Sequence, residues 1–247
     1  MQTSNVLGIE IQATTVKKAA AMLCEYMPKL RGKYITFVNV HTLVTAKEDA
    51  SYRRAQQEAA LSFADGQPVA NYQRRHGYRE AERVAGPDMM VEILAESTEK
   101  GYIHYFYGSN QDTLQKLQKR LRKKYPGIKI AGAYAPDGNL DVSAQDFTYD
   151  YACINKKNPD FIWVGLGAPK QEYWMQKAAG KVNGVMLGVG AGFDFLAGTK
   201  KRAPYIMQKL GLEWLHRLLC EPRRLGGRYL KTNLKFIWMC IKEAVCK

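Results

Sequence analysis

The sequence predicts an α/β fold: a Rossmann-like, mostly parallel sheet with helices on both faces, followed by a helical, basic C-terminal appendage. Three observations predict it. Short apolar runs alternate with segments of helical period along most of the chain. Turn-forming, often glycine-containing stretches follow several of those runs, where doubly wound sheets keep their strand-to-helix turns. The positive charge gathers at the end: from Gly198 on, twelve Lys and Arg face three Glu, which is nine of the fourteen net positive charges.

In order, VLGIEI (Val6 to Ile11) reads as a strand, TTVKKAAAMLCEYMPKL as a helix, YITFVNV (Tyr34 to Val40) as a strand and DASYRRAQQEAA as a helix. LSFAD is a strand end, and GPDMMVEILAESTEK is a helix with Pro87 near its start, where a missing N–H costs nothing. YIHYFYG (Tyr102 to Gly108) is a strand and NQDTLQKLQKRLRKKY a strongly amphipathic helix. IKIAGAY, a helix near Ser143 to Lys156, FIWVGLG, a helix from Pro169 and GVMLGVG complete the alternation. A chain of 247 residues suffices for one large core with an appendage, placed at residues 1–197 and 198–247.

Hydrophobic residues at 46% and charged residues at 24% exclude a disordered or fibrous chain. The five cysteines form no CxxC pair and suit a reduced compartment. MQTSNVLGIEIQATT lacks a basic region followed by an apolar run, so no signal peptide is expected. No run approaches the roughly 18 apolar residues of a spanning helix. The basic end asks for an anionic partner: nucleic acid, an anionic membrane surface or substrate phosphates.

In such sheets ligands bind beyond the carboxyl ends of the strands, which directs attention to NVH, ADGQP, GSN, AYAPDG, GLGAPKQE and GVGAGFD. In GLGAPKQE, exposed N–H groups at a helix start, with Lys170 and Gln171, suit a phosphate; a routine turn explains the same residues. In GVGAGFD, Gly188, Gly190 and Gly192 permit close backbone approach and Asp194 suits sugar hydroxyls, unless the glycines serve packing and Asp194 caps a helix. Asp65 in SFADGQP is either a turn aspartate or a general base, and Arg83 either a solvated arginine or a diphosphate ligand. His41, His76, His104 and His216 show no ligand spacing and no DxD pair occurs, so no metal and no cofactor is expected.

Taken together, TFVNVHTLVTA, ADGQPV, ERVAGPDMM, GLGAPKQEYWM, GVGAGFDFLAGTKKRAP and LEWLHRLLCEPRRL resemble the WecG/TagA/CpsF family of bacterial glycosyltransferases, through nearly the whole chain. The resemblance implies inverting, metal-independent transfer of a sugar from a UDP-sugar to a polyprenyl-diphosphate-linked sugar in cell-surface polymer synthesis. It implies Asp65 as base and Arg83 beside it as catalytic residues. It matches Arg83, Asn39, Gln171 and Asp194 to positions associated with the donor and its diphosphate; Thr36, Gly108, Tyr134, Gly167 and Lys170, in or just after the strands, are further donor-site candidates. Where teichoic-acid members carry threonine two residues before the asparagine, this chain has Phe37, with Thr36 one further back, so the donor sugar stays open.

Arg217, Arg224 and Arg228 are expected to meet the diphosphate or the acceptor once the tail docks. Beyond Gly227, Leu230, Leu234, Ile237, Ile241 and Val245 fall on one helical stripe flanked by Lys231, Lys235 and Lys242. That stripe packs on the core or lies in an anionic leaflet, and a lipid-linked acceptor favours the leaflet. The expected location is the cytoplasmic face of the membrane, peripherally held, with no nucleic-acid partner and homo-oligomerisation open. Two other classes compete: another nucleotide-dependent Rossmann enzyme, against which the missing GxGxxG speaks, and a basic nucleic-acid binder, against which the absence of an aromatic-rich RNA-binding motif speaks.

Overall fold

A computed structural model describes residues 1–137, 140–209 and 211–245, with side chains except at positions 205, 209, 217, 224, 225, 228–230, 244 and 245. The strands are β1 (Gln2–Val6), β2 (Ile9–Ala13), β3 (Tyr34–Val38), β4 (Leu61–Ala64), β5 (Ile103–Gly108), β6 (Lys129–Tyr134), β7 (Phe161–Gly165) and β8 (Val185–Gly188). They form one sheet in the order β1-β2-β4-β3-β8-β7-β5-β6, parallel except for the edge strand β1. The expected Rossmann-like α/β architecture is present.

The helices are α1 (Val16–Leu30), α2 (Val40–Glu48), α3 (Ala50–Gln57), α4 (Gln67–Arg75), α5 (Gly86–Lys100), α6 (Gln111–Lys124), α7 (Thr148–Lys156), α8 (Lys170–Ala178), α9 (Gly192–Ala197), α10 (Tyr205–Lys209), α11 (Glu213–Cys220) and α12 (Pro222–Val245). Strand side chains alternate between the sheet faces. Ile35, Phe37, Phe161, Trp163 and Leu187 join α1, α5, α6 and α9 in one cluster. On the opposite face Val38 and Ala64 meet α2, α4 and α12, and Ile162, Val164 and Met186 meet α7 and α8. The helix after β3 therefore packs on one face and the helix after β8 on the other, although these strands are neighbours. That divergence opens a crevice at their carboxyl ends.

Three sequence expectations change. VLGIEI is not one strand: Leu7 and Gly8, at φ 54° and 91°, turn the chain between β1 and β2, the geometry that two-residue hairpins demand. The helices α2 and α4 add to the expected elements: α2 begins at Val40, which reads as the end of the preceding strand, and α4 begins at Gln67 inside ADGQP, which reads as a turn. The Gly226–Gly227 pair does not interrupt the tail, since α12 runs through it from Pro222.

The apolar stripe expected to pack or to face lipid is turned outward. Leu234, Ile237 and Ile241 are 60%, 55% and 58% exposed, and Trp238 joins them at 61%. The side chains of Leu230 and Val245 lie outside the described residues. A different face, Thr232, Phe236 and Met239, is buried, with Phe236 and Met239 in the cluster that holds α2 and α4. Lys235 pairs with Glu48 of α2, and the Tyr72 hydroxyl of α4 donates to Glu243.

Candidate active site

Neighbouring strands β3 and β4 end in register, Val38 opposite Ala64, so Asn39 and Asp65 leave the sheet side by side. The Asp65 N–H donates to Val38 O at 2.8 Å, which carries the ladder one residue past the strand and fixes the aspartate. Asn39 is the N-cap of α2: its Oδ1 accepts the Thr42 N–H at 3.2 Å, while Thr42 Oγ1 accepts the Asn39 N–H at 2.8 Å. Arg83 arrives on an extended segment held beside β4, where the Val84 N–H donates to Ala64 O at 2.7 Å.

These three residues share one cavity of about 730 Å³. Asn39, Asp65 and Arg83 provide polar lining from the core, and Trp214, Phe236 and Ile237 of α11 and α12 bring apolar lining from the tail. The tail is thus a wall of the cavity. Such a mixture suits a ligand with a polar head and an apolar body.

Arg83 is not the solvated arginine that its surroundings in the sequence allowed. Its Nη1 donates to Glu213 Oε2 and its Nη2 to Asp88 Oδ2, both at 2.9 Å. Arg202 closes the ring, with Nη1 and Nη2 on Asp88 at 2.6 and 2.9 Å and Nε on Glu213 at 3.2 Å. Burial alone would lower the Arg202 pKa; the Asp88 and Glu213 carboxylates outweigh it and hold the guanidinium above its ordinary value. The two charges of each sign cancel within the ring, which ties α11 to the core beside the cavity. No spacing rule could have found Asp88, Arg202 and Glu213 as partners of Arg83, for they are brought together only by folding.

The remaining candidates follow the carboxyl edge in strand order. Gly108 ends β5, and a Cβ there would lie 2.6 Å from the Gly165 carbonyl carbon of β7. Tyr134 ends β6, 44% exposed, its ring 5.7 Å from that of buried Tyr107. Gly167 and exposed Lys170 form the turn into α8, whose N-cap is Pro169. Gln171, by contrast, is buried: its Nε2 donates to Gly188 O at 3.0 Å and to Glu172 Oε1 at 2.9 Å, and its Oε1 accepts the Gly190 N–H at 3.0 Å. It fastens the β7–α8 turn to the β8–α9 turn. Asp194 lies in the first turn of α9 without capping it, its carboxylate 3.5 Å from Lys200 Nζ and 3.2 Å from Thr199 Oγ1.

A model of the glycosyl transferase WecG/TagA/CpsF family matches residues 4–247. The chain belongs to that family. Curated relatives include N-acetylglucosaminyldiphosphoundecaprenol N-acetyl-beta-D-mannosaminyltransferases of Staphylococcus aureus strains NCTC 8325 / PS 47 and COL. Each is 28% identical over 225 residues, covering 90% of this chain and 86% of the relative.

Of the expected donor residues of this glycosyltransferase, Asn39 lines the cavity, while Thr36, Gly108, Tyr134, Gly167, Lys170, Gln171 and Asp194 are not among its lining residues. Thr36 is fully buried inside the sheet, and its hydroxyl shares a 2.8 Å hydrogen bond with Ser62 Oγ of β4. The alternation of a strand places Thr36 toward the helix layer, and its hydroxyl is satisfied there. The side chains of Arg217, Arg224 and Arg228 lie outside the described residues. Among the described residues no group of three or more His, Cys, Asp or Glu is arranged to hold a metal ion, and no helix is long and apolar enough to cross a membrane.

Proposed function

We propose that this glycosyltransferase moves a sugar from a UDP-sugar to the sugar of a polyprenyl-diphosphate-linked acceptor, with inversion and without a metal. The observation that carries it is Asp65 lining a cavity whose far wall is the tail helix α12, apolar on its outer side. That arrangement presents a carboxylate to an acceptor hydroxyl arriving from a lipid surface. The relatives' printed acceptor, a sugar diphosphoundecaprenol, has this combination of polar head and apolar chain.

Asp65 takes the proton of the acceptor hydroxyl as the oxygen attacks the anomeric carbon from the face opposite UDP. The bond from that carbon to the diphosphate breaks, and its electron pair leaves on the diphosphate oxygen. Negative charge grows there and requires preorganised donors. The N–H groups at the start of α8 and Lys170 lie at the crevice, and Arg83 lies beside Asp65 once the ring with Asp88 and Glu213 yields one of its partners. Arg217, Arg224 and Arg228 of the appendage, residues 198–247, are the further cations this reading assigns to the diphosphate or the acceptor, in addition to those of the core, residues 1–197. The absence of a DxD pair supports the metal-free reading.

We further propose peripheral attachment to the cytoplasmic face of the membrane; the exposed apolar residues of α12 support attachment to a lipid surface. Leu234, Trp238 and the exposed parts of Ile237 and Ile241, which also line the cavity, enter the interface; Lys231 and Lys242 meet anionic headgroups while Lys235 pairs with Glu48, and Lys242 Nζ lies 5.3 Å from the Trp238 ring centre. A synthetic lipid-diphosphate-sugar acceptor incubated with a panel of UDP-sugars, read by mass spectrometry, tests the assignment. A glycosylated lipid with UDP released is the expected result; no product with any UDP-sugar, from protein that is folded and liposome-bound, overturns it.

A further inference from the structure

The cavity beside Asp65 continues along α4. Gln67, Asn71 and Arg75 all line it, and their spacing of four residues puts them on one face of that helix, each about 6 Å beyond the last. Asp65 stands two residues before Gln67, so the order outward from the carboxylate is amide, amide, guanidinium. From α12 come Asn233, Ile237 and Ile241, again at intervals of four. The tail makes room for Gln67 at Gly211, where an added Cβ would lie 2.6 Å from Gln67 Cγ.

The hydrogen bonds leave these side chains with groups to offer. Arg74 can only donate, so the Asn71 atom that meets its Nη2 is Oδ1, and the same oxygen accepts from Gln67 Nε2 at 3.0 Å. Both amides are thereby oriented, and neither Asn71 Nδ2 nor Gln67 Oε1 has a partner among the described residues. Of the two described arginines that line the cavity, Arg83 is held by Asp88 and Glu213, whereas Arg75 has no carboxylate partner among the described residues. Burial and Glu243 raise the Cys240 thiol and Arg75 opposes them, which turns the Arg75 charge toward α12. Glu243 accepts the Tyr72 hydroxyl, and the Tyr72 ring is stacked on His76 with centres 4.0 Å apart.

We propose that Gln67, Asn71 and Asn233 hold the sugar of the lipid-linked acceptor and Arg75 its diphosphate, with the first isoprene units leaving along Ile237 and Ile241; this rests on the acceptor reading given above. Such a molecule presents, in order, a hydroxyl, a sugar ring, a diphosphate and an apolar chain. The cavity presents a carboxylate, amides, a guanidinium and isoleucines in the same order. Carboxamides donate to and accept from sugar hydroxyls at once, and a guanidinium bonds two phosphate oxygens with parallel N–H groups. From Gln67 to Arg75 the helix rises roughly 12 Å, a length that a pyranose and the diphosphate on its anomeric carbon fill. Ile237 and Ile241 line the cavity while more than half exposed, so the groove opens beside the outward face of α12. Arg75 is assigned to the acceptor and not to a lipid headgroup because it shares one cavity with Asp65.

The experiment uses the full chain and a soluble probe, N-acetylglucosaminyl diphosphate carrying a farnesyl chain, with neither membrane nor donor present. Calorimetry gives its dissociation constant for wild type, Arg75→Gln and Asn71→Ala, and a second probe has an ether in place of the diphosphate. Arg75→Gln is expected to weaken the first probe about tenfold, the worth of one charge-assisted hydrogen bond, and to bind the second as wild type does. Asn71→Ala is expected to weaken both probes about fivefold, through a lost sugar contact. UDP affinity should stay at the wild-type value in both variants. Arg75 is exposed, so its replacement leaves folding intact. Equal affinity of wild type and Arg75→Gln for the first probe, an equal loss with the phosphate-free probe, or a loss confined to liposome binding overturns the diphosphate assignment. Undiminished binding of both probes by Asn71→Ala overturns the sugar assignment. Wild type that binds the first probe yet transfers no sugar from any UDP-sugar removes the transfer reading and leaves this comparison standing, whereas wild type that binds neither probe removes the acceptor reading and the inference with it.

Discussion

Replacing Gly108 by alanine tests whether the carboxyl ends of β5 and β7 are held as close as the structure shows. Gly108 has φ of 120°, a region open only to glycine, and an added Cβ would lie 2.6, 2.8 and 3.0 Å from the Gly165 carbonyl carbon, oxygen and nitrogen. All three are backbone atoms inside a parallel ladder, so no rotamer can give way. Strained backbone costs about 1–3 kcal/mol, and forced overpacking about 1–3 kcal/mol more. The expected loss is therefore about 4 kcal/mol, which lowers the melting temperature by roughly 8–10 °C in a chain of this size.

Two controls separate the causes. Gly167 has φ of 77°, and a Cβ added there would meet nothing within 4 Å, so Gly167→Ala should lose only the left-handed penalty of about 1–2 kcal/mol. Gly227 lies within α12, also with nothing within 4 Å of an added Cβ, so Gly227→Ala should gain up to about 1 kcal/mol in the stability of that helix. Urea unfolding followed by circular dichroism, with unchanged slope, measures the first two, and amide exchange in α12 measures the third. A Gly108→Ala protein within about 1.5 kcal/mol of wild type, or equal to Gly167→Ala, would refute the close approach of the two strands.

Other expectations follow from the site. Asp65→Asn should reduce transfer by at least about 10²-fold while UDP affinity and melting temperature stay near wild type; turnover close to wild type would remove the base role. Glu213→Gln withdraws one negative charge from the ring with Arg83 and Arg202, so amide exchange in α11 should rise while the sheet stays protected, and unchanged exchange in α11 would contradict the tie. Trp238→Ser with Ile241→Ser should release the protein from anionic liposomes without lowering its melting temperature, because both side chains are more than half exposed; undiminished sedimentation with liposomes would count against the lipid-facing reading. For Glu172 the folded pKa of about 7 lies above its ordinary 4.5, so the folded chain holds the proton more tightly. The stability this lends is fully present below about pH 4.5 and is lost as pH rises through 7. Glu172→Gln should therefore remove a decline on the order of 3 kcal/mol between those limits, and an identical pH dependence in the two proteins would refute the burial of an ionisable group there.

The strand ends were legible because strand and helix periods are local properties. Asp65 and Asn39 could be placed at the carboxyl edge from ADGQP and NVH alone, and α5 matched its predicted bounds, Gly86 to Lys100, because Pro87 and a left-handed Gly101 mark its ends. The hairpin at Leu7–Gly8 was harder, since apolar residues on both sides of a two-residue turn make one continuous run in the sequence. Gln171 was found for its position but not for its task, as nothing in GAPKQE tells that its amide turns inward to Gly188, Gly190 and Glu172.

The tail shows the division most clearly. By itself the sequence determined that residues after Gly198 are basic and that an apolar stripe runs along a helix, because charge and period are read residue by residue. Only the tertiary structure decided that the stripe faces outward, that Thr232, Phe236 and Met239 face the core, and that Glu213 joins Arg83, Asp88 and Arg202. The physical reason is that a helix with apolar residues on more than one side has no intrinsic inside. Which face is buried depends on the shape and charge of the surface it meets, and that surface is assembled from residues more than a hundred positions away.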